Sequence, residues 1–299
     1  MASEGDVPLS HRGRSSGNTE VVARQTDISQ VPVDMPLPDG KSAAVALTFD
    51  LDGDAGHDTW RDLDWRLTSL TEAQYGIQRG LSRIVDLLQR YRLGATFYVC
   101  GQVADEWPGA VEMIADSGFE IGNHGYSHAF TDRVTGDDQW TELKQTQDAL
   151  AKVAGGAPKG FRSPGWELTA EAIRMLPRLG IAYDSSLMGD DRVQTLSFGD
   201  EKLLEFPVHW SLDDAAYFRF ARDSSMTLSD PESFFRVLGS ELQSTLDEKR
   251  VTTWTFHPEM IGRAHRLAAL ERVIMDALDL GNVWFASHGE LARHLAASR

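Results

Sequence analysis

From Ala43 onward the chain alternates between short runs of apolar, β-branched and aromatic residues and longer stretches whose apolar positions recur at helical spacing. The run AAVALTF from Ala43 has the pattern of a buried strand, and the next helix places Ile77, Leu81, Ile84, Val85 and Leu88 on one stripe. The unit then repeats: ATFYVC, a helix around 107–117, the short strand FEIG, and a helix from about Asp137 to Val153. Further along come GFRSP, a helix near 169–179, IAYD and LLEFPV. A helix carrying Phe234, Val237, Leu238 and Leu242 leads to VTTWTF, a helix with Leu267, Leu270, Ile274 and Leu278, VWFAS and a last helix. Parallel strands need crossovers, and helices between strands supply them, so the rhythm predicts a parallel α/β sheet. About seven or eight such units without a linker favour a closed or nearly closed (β/α) barrel over an open sheet.

Residues 1–40 do not share this rhythm. They are polar, lack periodicity and end in VPVDMPLPDG, which suits an extended lead-in. The expected organisation is an N-terminal arm or tail over 1–40 and a catalytic domain over 41–299, the arm, if ordered, packing on a neighbouring subunit. A chain of 299 residues and 33.1 kDa with 41% hydrophobic and 25% charged residues is globular in composition. Its net charge of −16 repels polyanions, which argues against nucleic acid as a partner. The single cysteine, Cys100, removes an intramolecular disulfide and any multi-cysteine metal site, and reads as structural. Any metal must therefore use His, Asp or Glu. No apolar run reaches the roughly 18 residues needed to cross a bilayer, and MASEGDVPLSHRGRSSG lacks an apolar segment of signal-peptide type. The expectation is a cytoplasmic protein without a membrane partner.

In a parallel barrel the chemistry sits at the carboxyl ends of the strands. The first strand ends TFDLD, so Asp50 and Asp52 share one side if the chain stays extended, and paired carboxylates there call for a cation or a proton between them. After FEIG, the segment from Asn123 to His128 carries two imidazoles, His124 and His128, at the spacing of one helical turn. With one carboxylate they would make a three-ligand site with open positions. Asp54 and His57 are rival ligands that spacing does not exclude. In the turn from Gly160 to Glu167, Pro164 and Gly165 can leave backbone N–H groups free for an oxyanion, and Arg162 can orient a carboxylate. Finally, His257 ends the strand VTTWTF and Pro258 stops it.

Taken in order, TFDLD, NHGYSH, FRSPGW and TFHP resemble the polysaccharide deacetylase family, also called NodB-like domains or carbohydrate esterase family 4, from about residue 43 to about 295. The resemblance implies a distorted (β/α) barrel of about seven parallel strands. It also makes Asp52, His124 and His128 the ligands of one divalent metal, zinc first, with cobalt or nickel as alternatives. Asp50 becomes the general base, Arg162 its orienting partner, the Gly165 N–H an oxyanion donor and His257 the general acid. Trp166, Glu167, Trp210 and Arg263 are implied to line the substrate pocket.

The order Pro164, Gly165, Trp166, Glu167 departs from glycan deacetylases, where an aromatic residue follows the proline directly. With WSLDD at 210–214 and HPEMIGRAHR at 257–266, it looks more like a branch holding peptidoglycan-deacetylase-like proteins and cyclic imide hydrolases, whose members tend to be cytoplasmic homo-oligomers, dimers or tetramers. Two substrate classes stay open: an N-acetylated sugar, or a small ring imide or ureide. A non-catalytic metal-containing binding module is the alternative of another kind. The insertion from Gly53 to Tyr75, with Trp60, Arg61, Trp65 and Arg66, reads equally as a lid or a subunit contact.

Overall fold

The computed structural model describes residues 27–58, 67–220 and 228–298, with the backbone alone at 56–58. Trp60, Arg61, Trp65, Arg66 and the side chain of His57 lie outside the described residues. The strands are β1 (Ser29–Pro32), β2 (Ala43–Leu51), β3 (Ala95–Val99), β4 (Glu120–Asn123), β5 (Gly160–Phe161), β6 (Tyr183–Asp184), β7 (Gln194–Phe198), β8 (Glu201–Glu205), β9 (Val251–Phe256) and β10 (Val283–Phe285).

Seven of them, in the order β9-β2-β3-β4-β5-β6-β8, pair in parallel. Beyond β8 the chain swings back toward β9, where Asp213 forms one parallel bridge with Thr255. The ring is thus a distorted barrel drawn almost shut. Ala44 and Val45 pair with both β9 and β10, and Leu47 to Phe49 with both β9 and β3, so β10 and β3 occupy successive stretches of one edge of β2.

The pattern of β2 explains its place. All nine residues are buried, and alternate side chains must point to opposite faces. Val45, Leu47, Phe49 and Leu51 pack outward with Leu81, Ile84, Leu88, Leu238 and Ile274 of the surrounding helices. Ala44 and Ala46 face inward, against Tyr98, Tyr183 and Phe206. Thr48 and Asp50 fall on this inward face by the same period. Interior space is tight enough that a Cβ at Gly160 would overlap the Tyr183 ring.

Two features differ from a purely parallel expectation. β7 and β8 form an antiparallel hairpin whose turn places Gly199 at φ 59°, a conformation that suits glycine. β1 then adds to β7, antiparallel, with Ser29 opposite Ser197 and Pro32 opposite Gln194. Residues 29–32 of the segment expected as an arm therefore lie along this chain's own sheet, and Met35 and Leu37 pack on the interior cluster. Among the described residues no helix is long and apolar enough to cross a membrane.

Candidate functional site

Period-two geometry carries Asp50 to the inward face of β2 and Asp52 just past its end. Both are buried, at 1% and 2% exposure. Arg162, fully buried one residue beyond β5, donates from Nη1 to Asp50 Oδ1 at 2.8 Å and to Thr48 Oγ1 at 2.8 Å. Its Nε donates to the Ser185 carbonyl at 2.9 Å and its Nη2 to Ser185 Oγ at 2.8 Å. The guanidinium also lies 4.3 Å from the centre of the Tyr98 ring. A buried cation this fully bonded holds one orientation, and removing either member of the Asp50–Arg162 pair would strand the other, at a cost of about 3–5 kcal/mol.

The two imidazoles converge by another route than the helical turn their spacing suggests. β4 ends at Asn123 and the chain enters a loop in which Gly125 has φ 72° and His128 φ 57°. The loop is pinned by its own polar groups. Asn123 Oδ1 accepts from the Gly125 N–H, and the Glu142 carboxylate accepts from the N–H groups of Tyr126 and Ser127 and from Ser127 Oγ. His124 Nδ1 lies 2.8 Å from the Arg162 carbonyl and must donate to it, which turns the Nε2 lone pair inward. That Nε2 lies 3.4 Å from Asp52 Oδ1, and His128 Nε2 lies 3.5 Å from Asp52 Oδ2. Neither oxygen of Asp52 accepts a hydrogen bond.

An isolated buried carboxylate with two empty acceptors is costly. Facing two imidazole nitrogens, it is the donor set of a divalent cation, and the three residues form a group able to hold one. Burial alone would raise the Asp52 pKa, but the imidazoles, His128 foremost, hold the carboxyl well below its usual value. Burial pushes His128 down to about 4, so it stands neutral and ready to ligate. Asp54 is not in this group: it sits in the first turn of the helix Gly53–Asp58, and its Oδ2 accepts from Gln74 Nε2 at 3.1 Å.

On the opposite wall, His257 follows β9 and points Nε2 toward Asp52 Oδ2, 4.0 Å away. Its backbone N–H donates to Asp214 Oδ1 and Oδ2 at 3.0 and 3.1 Å, and its Nδ1 lies 2.8 Å from the same Oδ1. Asp213 Oδ1 is 3.4 Å from that nitrogen. Burial opposes protonation, but the charges of Asp213 and Asp214 outweigh it and hold the imidazole pKa well above its ordinary value. Asp213, Asp214 and His257 could also form a cation group, yet a protonated His257 already balances the charge of one of the two carboxylates, and burial lifts the other, Asp213, to about 7. The WSLDD segment gives no hint of this task in the sequence; its one local signal is an acidic doublet ahead of a helix.

The remaining expected residues are more dispersed. Gly165 occupies the short 3-10 turn Pro164–Trp166 at φ 61°, where a Cβ would meet the Phe130 ring at 2.7 Å, so glycine is required for both reasons. Trp166 is 5% exposed because Trp210 stacks on it, ring centres 4.3 Å apart, leaving Trp210 44% exposed. The Glu167 side chain is exposed while its carbonyl takes the hydroxyls of Thr131 and Ser163. Arg263 lies over the Tyr75 ring at 3.7 Å and 3.9 Å from Glu72, against the helix Leu67–Tyr75. Cys100 is fully buried, and its thiol is pushed well up by burial and by Asp52 and Asp50, in keeping with a packing residue.

Known proteins share this fold. The sequence profile described as polysaccharide deacetylase matches residues 38–183. The chain is 34% identical to a Mycobacterium smegmatis protein assigned as a polysaccharide deacetylase, whose structure matches with a TM-score of 0.85 over 90% of this chain and 94% of that one. It is 28% identical to the peptidoglycan deacetylase of Helicobacter pylori over 229 residues, 65% of this chain and 76% of that protein. Puue allantoinase matches at 19% identity with a TM-score of 0.78, covering 90% of this chain and 95% of that one, a likeness of fold alone.

Proposed function

Because the chain belongs to the polysaccharide deacetylase family, hydrolases of carbon–nitrogen bonds other than peptide bonds, we propose that it hydrolyses an N-acyl amide with the help of one divalent metal, zinc first. The observation that carries this reading is the buried Asp52 carboxylate, both oxygens without a hydrogen bond, facing Nε2 of His124 and of His128. Asp52, His124 and His128 would hold the ion, which would supply Lewis acidity for the scissile carbonyl and for a water molecule.

The other groups then divide the proton transfers. Arg162 occupies Asp50 Oδ1 and fixes the orientation of that carboxylate. Oδ2, 3.9 Å from His124 Nε2, faces the ligand set and is left to take the proton of the attacking water. His257 carries its available proton on Nε2, since Nδ1 is tied to Asp214. As the C–N bond breaks it protonates the leaving nitrogen, which an amide requires because an amide anion is a very poor leaving group. The Gly165 N–H is the proposed oxyanion donor. Water adds to the acyl carbon and the products are an acid and an amine.

The leading substrate class is an N-acetylated sugar or muropeptide. A second reading, opening of a small cyclic imide or ureide, is supported by the stacking of Trp210 over Trp166, which leaves one indole face rather than two for a sugar platform. The test is mass-spectrometric detection of hydrolysis by zinc-loaded protein on chitooligomers, N-acetylated amino sugars, cyclic imides and ureides. Asp50→Asn should retain about one zinc per chain and lose activity by at least about 100-fold. His124→Ala should lose the zinc itself. Unchanged turnover in the first variant would remove Asp50 as base, and full zinc content in the second would refute the ligand set. Zinc-loaded wild type that binds but never hydrolyses would favour the binding-module alternative.

A further inference from the structure

Two charged side chains outside this machinery converge on the same space. Arg219 ends the short helix Ala215–Phe218, and its Nη2 lies 3.9 Å from Asp52 Oδ2 and 3.9 Å from Glu259 Oε1. Glu259 stands two residues after His257, in the first turn of the helix Pro258–Ile261. Their side chains are 26% and 12% exposed, so both are largely shielded from solvent. At 3.9 Å the two stand side by side without a hydrogen bond between them, their donors and acceptors not spent on each other.

Glu259 is held from behind. The segment Pro258–Gly262 packs on the tight π-helical segment Gly76–Gly80 almost backbone to backbone. A Cβ at Gly80 would overlap the Pro258 carbonyl, and one at Gly76 would lie 2.9 Å from the Glu259 nitrogen. Glycine at these two positions lets the elements close this far, and a site built on such elements keeps its geometry.

A guanidinium beside a carboxyl group sets donors and an acceptor side by side, which fits a group that offers an acceptor and a donor on one edge. An ammonium in that place would be repelled by Arg219. Resting on the amide-hydrolase reading, the geometry points to Arg219 and Glu259 as the pair that recognises the substrate beside the scissile carbonyl. Arg219 donates to an oxygen of that neighbouring group, and Glu259 accepts from its N–H or O–H. The C=O and N–H of a ureido or imido group and two adjacent sugar hydroxyls share this chemistry, and the test separates them.

Binding is measured by calorimetric titration of zinc-loaded Asp50→Asn protein, alone and combined with Arg219→Gln or Glu259→Gln, against hydantoin, N-acetylglucosamine and N-methylacetamide, which lacks the second edge. Each substitution should weaken hydantoin or N-acetylglucosamine by about tenfold or more, leave N-methylacetamide within about twofold and leave zinc content unchanged. Loss on hydantoin identifies the ureido edge, and loss on the sugar identifies the hydroxyl pair. Equal loss on all three probes, no loss on any, or failure of every probe to bind overturns the assignment. Arg219-dependent binding by a wild-type protein that hydrolyses nothing would leave recognition standing and refute the hydrolase reading instead.

Discussion

His257 shows how far a single residue's chemistry depends on what holds it. Left to burial, its imidazole would be neutral at physiological pH; Asp213 and Asp214 reverse this and keep the proton on. A raised pKa means that the acid form is present below it and is lost as pH rises through it. Activity that needs His257 as acid therefore falls on the alkaline side. Asp214→Asn preserves an acceptor for Nδ1 but removes a charge, so the alkaline limb of kcat/KM should move to lower pH by about one unit or more, with kcat near neutral pH down at least about tenfold. A pH–rate profile checks this, and an unmoved alkaline limb would take the acid role away from His257. The same dependence explains why His257 alone is a weak signal in the sequence: the residues that define it lie some forty positions earlier and reach it only across the barrel.

At the scale of elements, the β6–β8 pairing sets Asp184 opposite Glu205 with both side chains fully buried. Glu205 Oε1 accepts from the N–H groups of Ser186 and Leu187, and Asp184 Oδ1 accepts from Ser186 Oγ, while Asp184 Oδ2 and Glu205 Oε2 accept nothing. A proton shared between the two satisfies both. Burial raises both pKa values, and Asp184's charge lifts Glu205 further. Groups with raised folded-state pKa contribute stability that is complete below the ordinary carboxylate range and lost as pH rises through the folded value. Glu205→Gln keeps the acceptor for Ser186 and Leu187 and offers an N–H to Asp184, so its Tm should fall less between pH 5 and pH 8 than that of the wild type. Parallel Tm curves would refute the shared proton. The pair matters beyond stability, because Ser185 holds Arg162 and Ser186 Oγ receives the Ser163 N–H, so this strand end supports both Asp50 and the turn that carries Gly165.

Over the whole molecule, the ring of parallel strands is drawn shut by one bridge between the segment after β8 and β9. That near-closure brings Asp213, Asp214 and Arg219 to the face that carries Asp52, His124 and His128. The sheet then continues past the ring through β7 to β1, whose four residues are exposed and whose outer edge is unpaired among the described residues. The chain without residues 1–26 is the reference for the contribution of β1. Removing 1–32 takes away β1 and the packing of Ile28 and should lower Tm by several degrees, each kcal/mol being worth roughly 2–4 °C. Scanning calorimetry on both truncations checks this, and equal Tm values would show that β1 adds nothing to the fold. Light scattering on the same chains tests the proposed homo-oligomer and any part the N-terminal segment plays in it.

Whatever local covalent geometry sets is legible in the order of residues alone. The two-residue period of β2 puts Asp50 on the inward face, and the alternation of strands and helices implies parallel pairing, with the polar ends of successive strands at one rim. The TFDLD, NHGYSH, FRSPGW and TFHP segments are thereby expected at strand ends, and their resemblance to the polysaccharide deacetylase family joins them into one constellation. The folded ring settles the rest: His124 and His128 meet through a left-handed loop rather than a helical turn, Asp54 turns to Gln74, a hairpin and β1 extend the sheet, and Asp214, Arg219 and Glu259 face the site. These are contacts between distant segments, made when a twisted sheet curls nearly into a ring. No local periodicity records which strand end will face which.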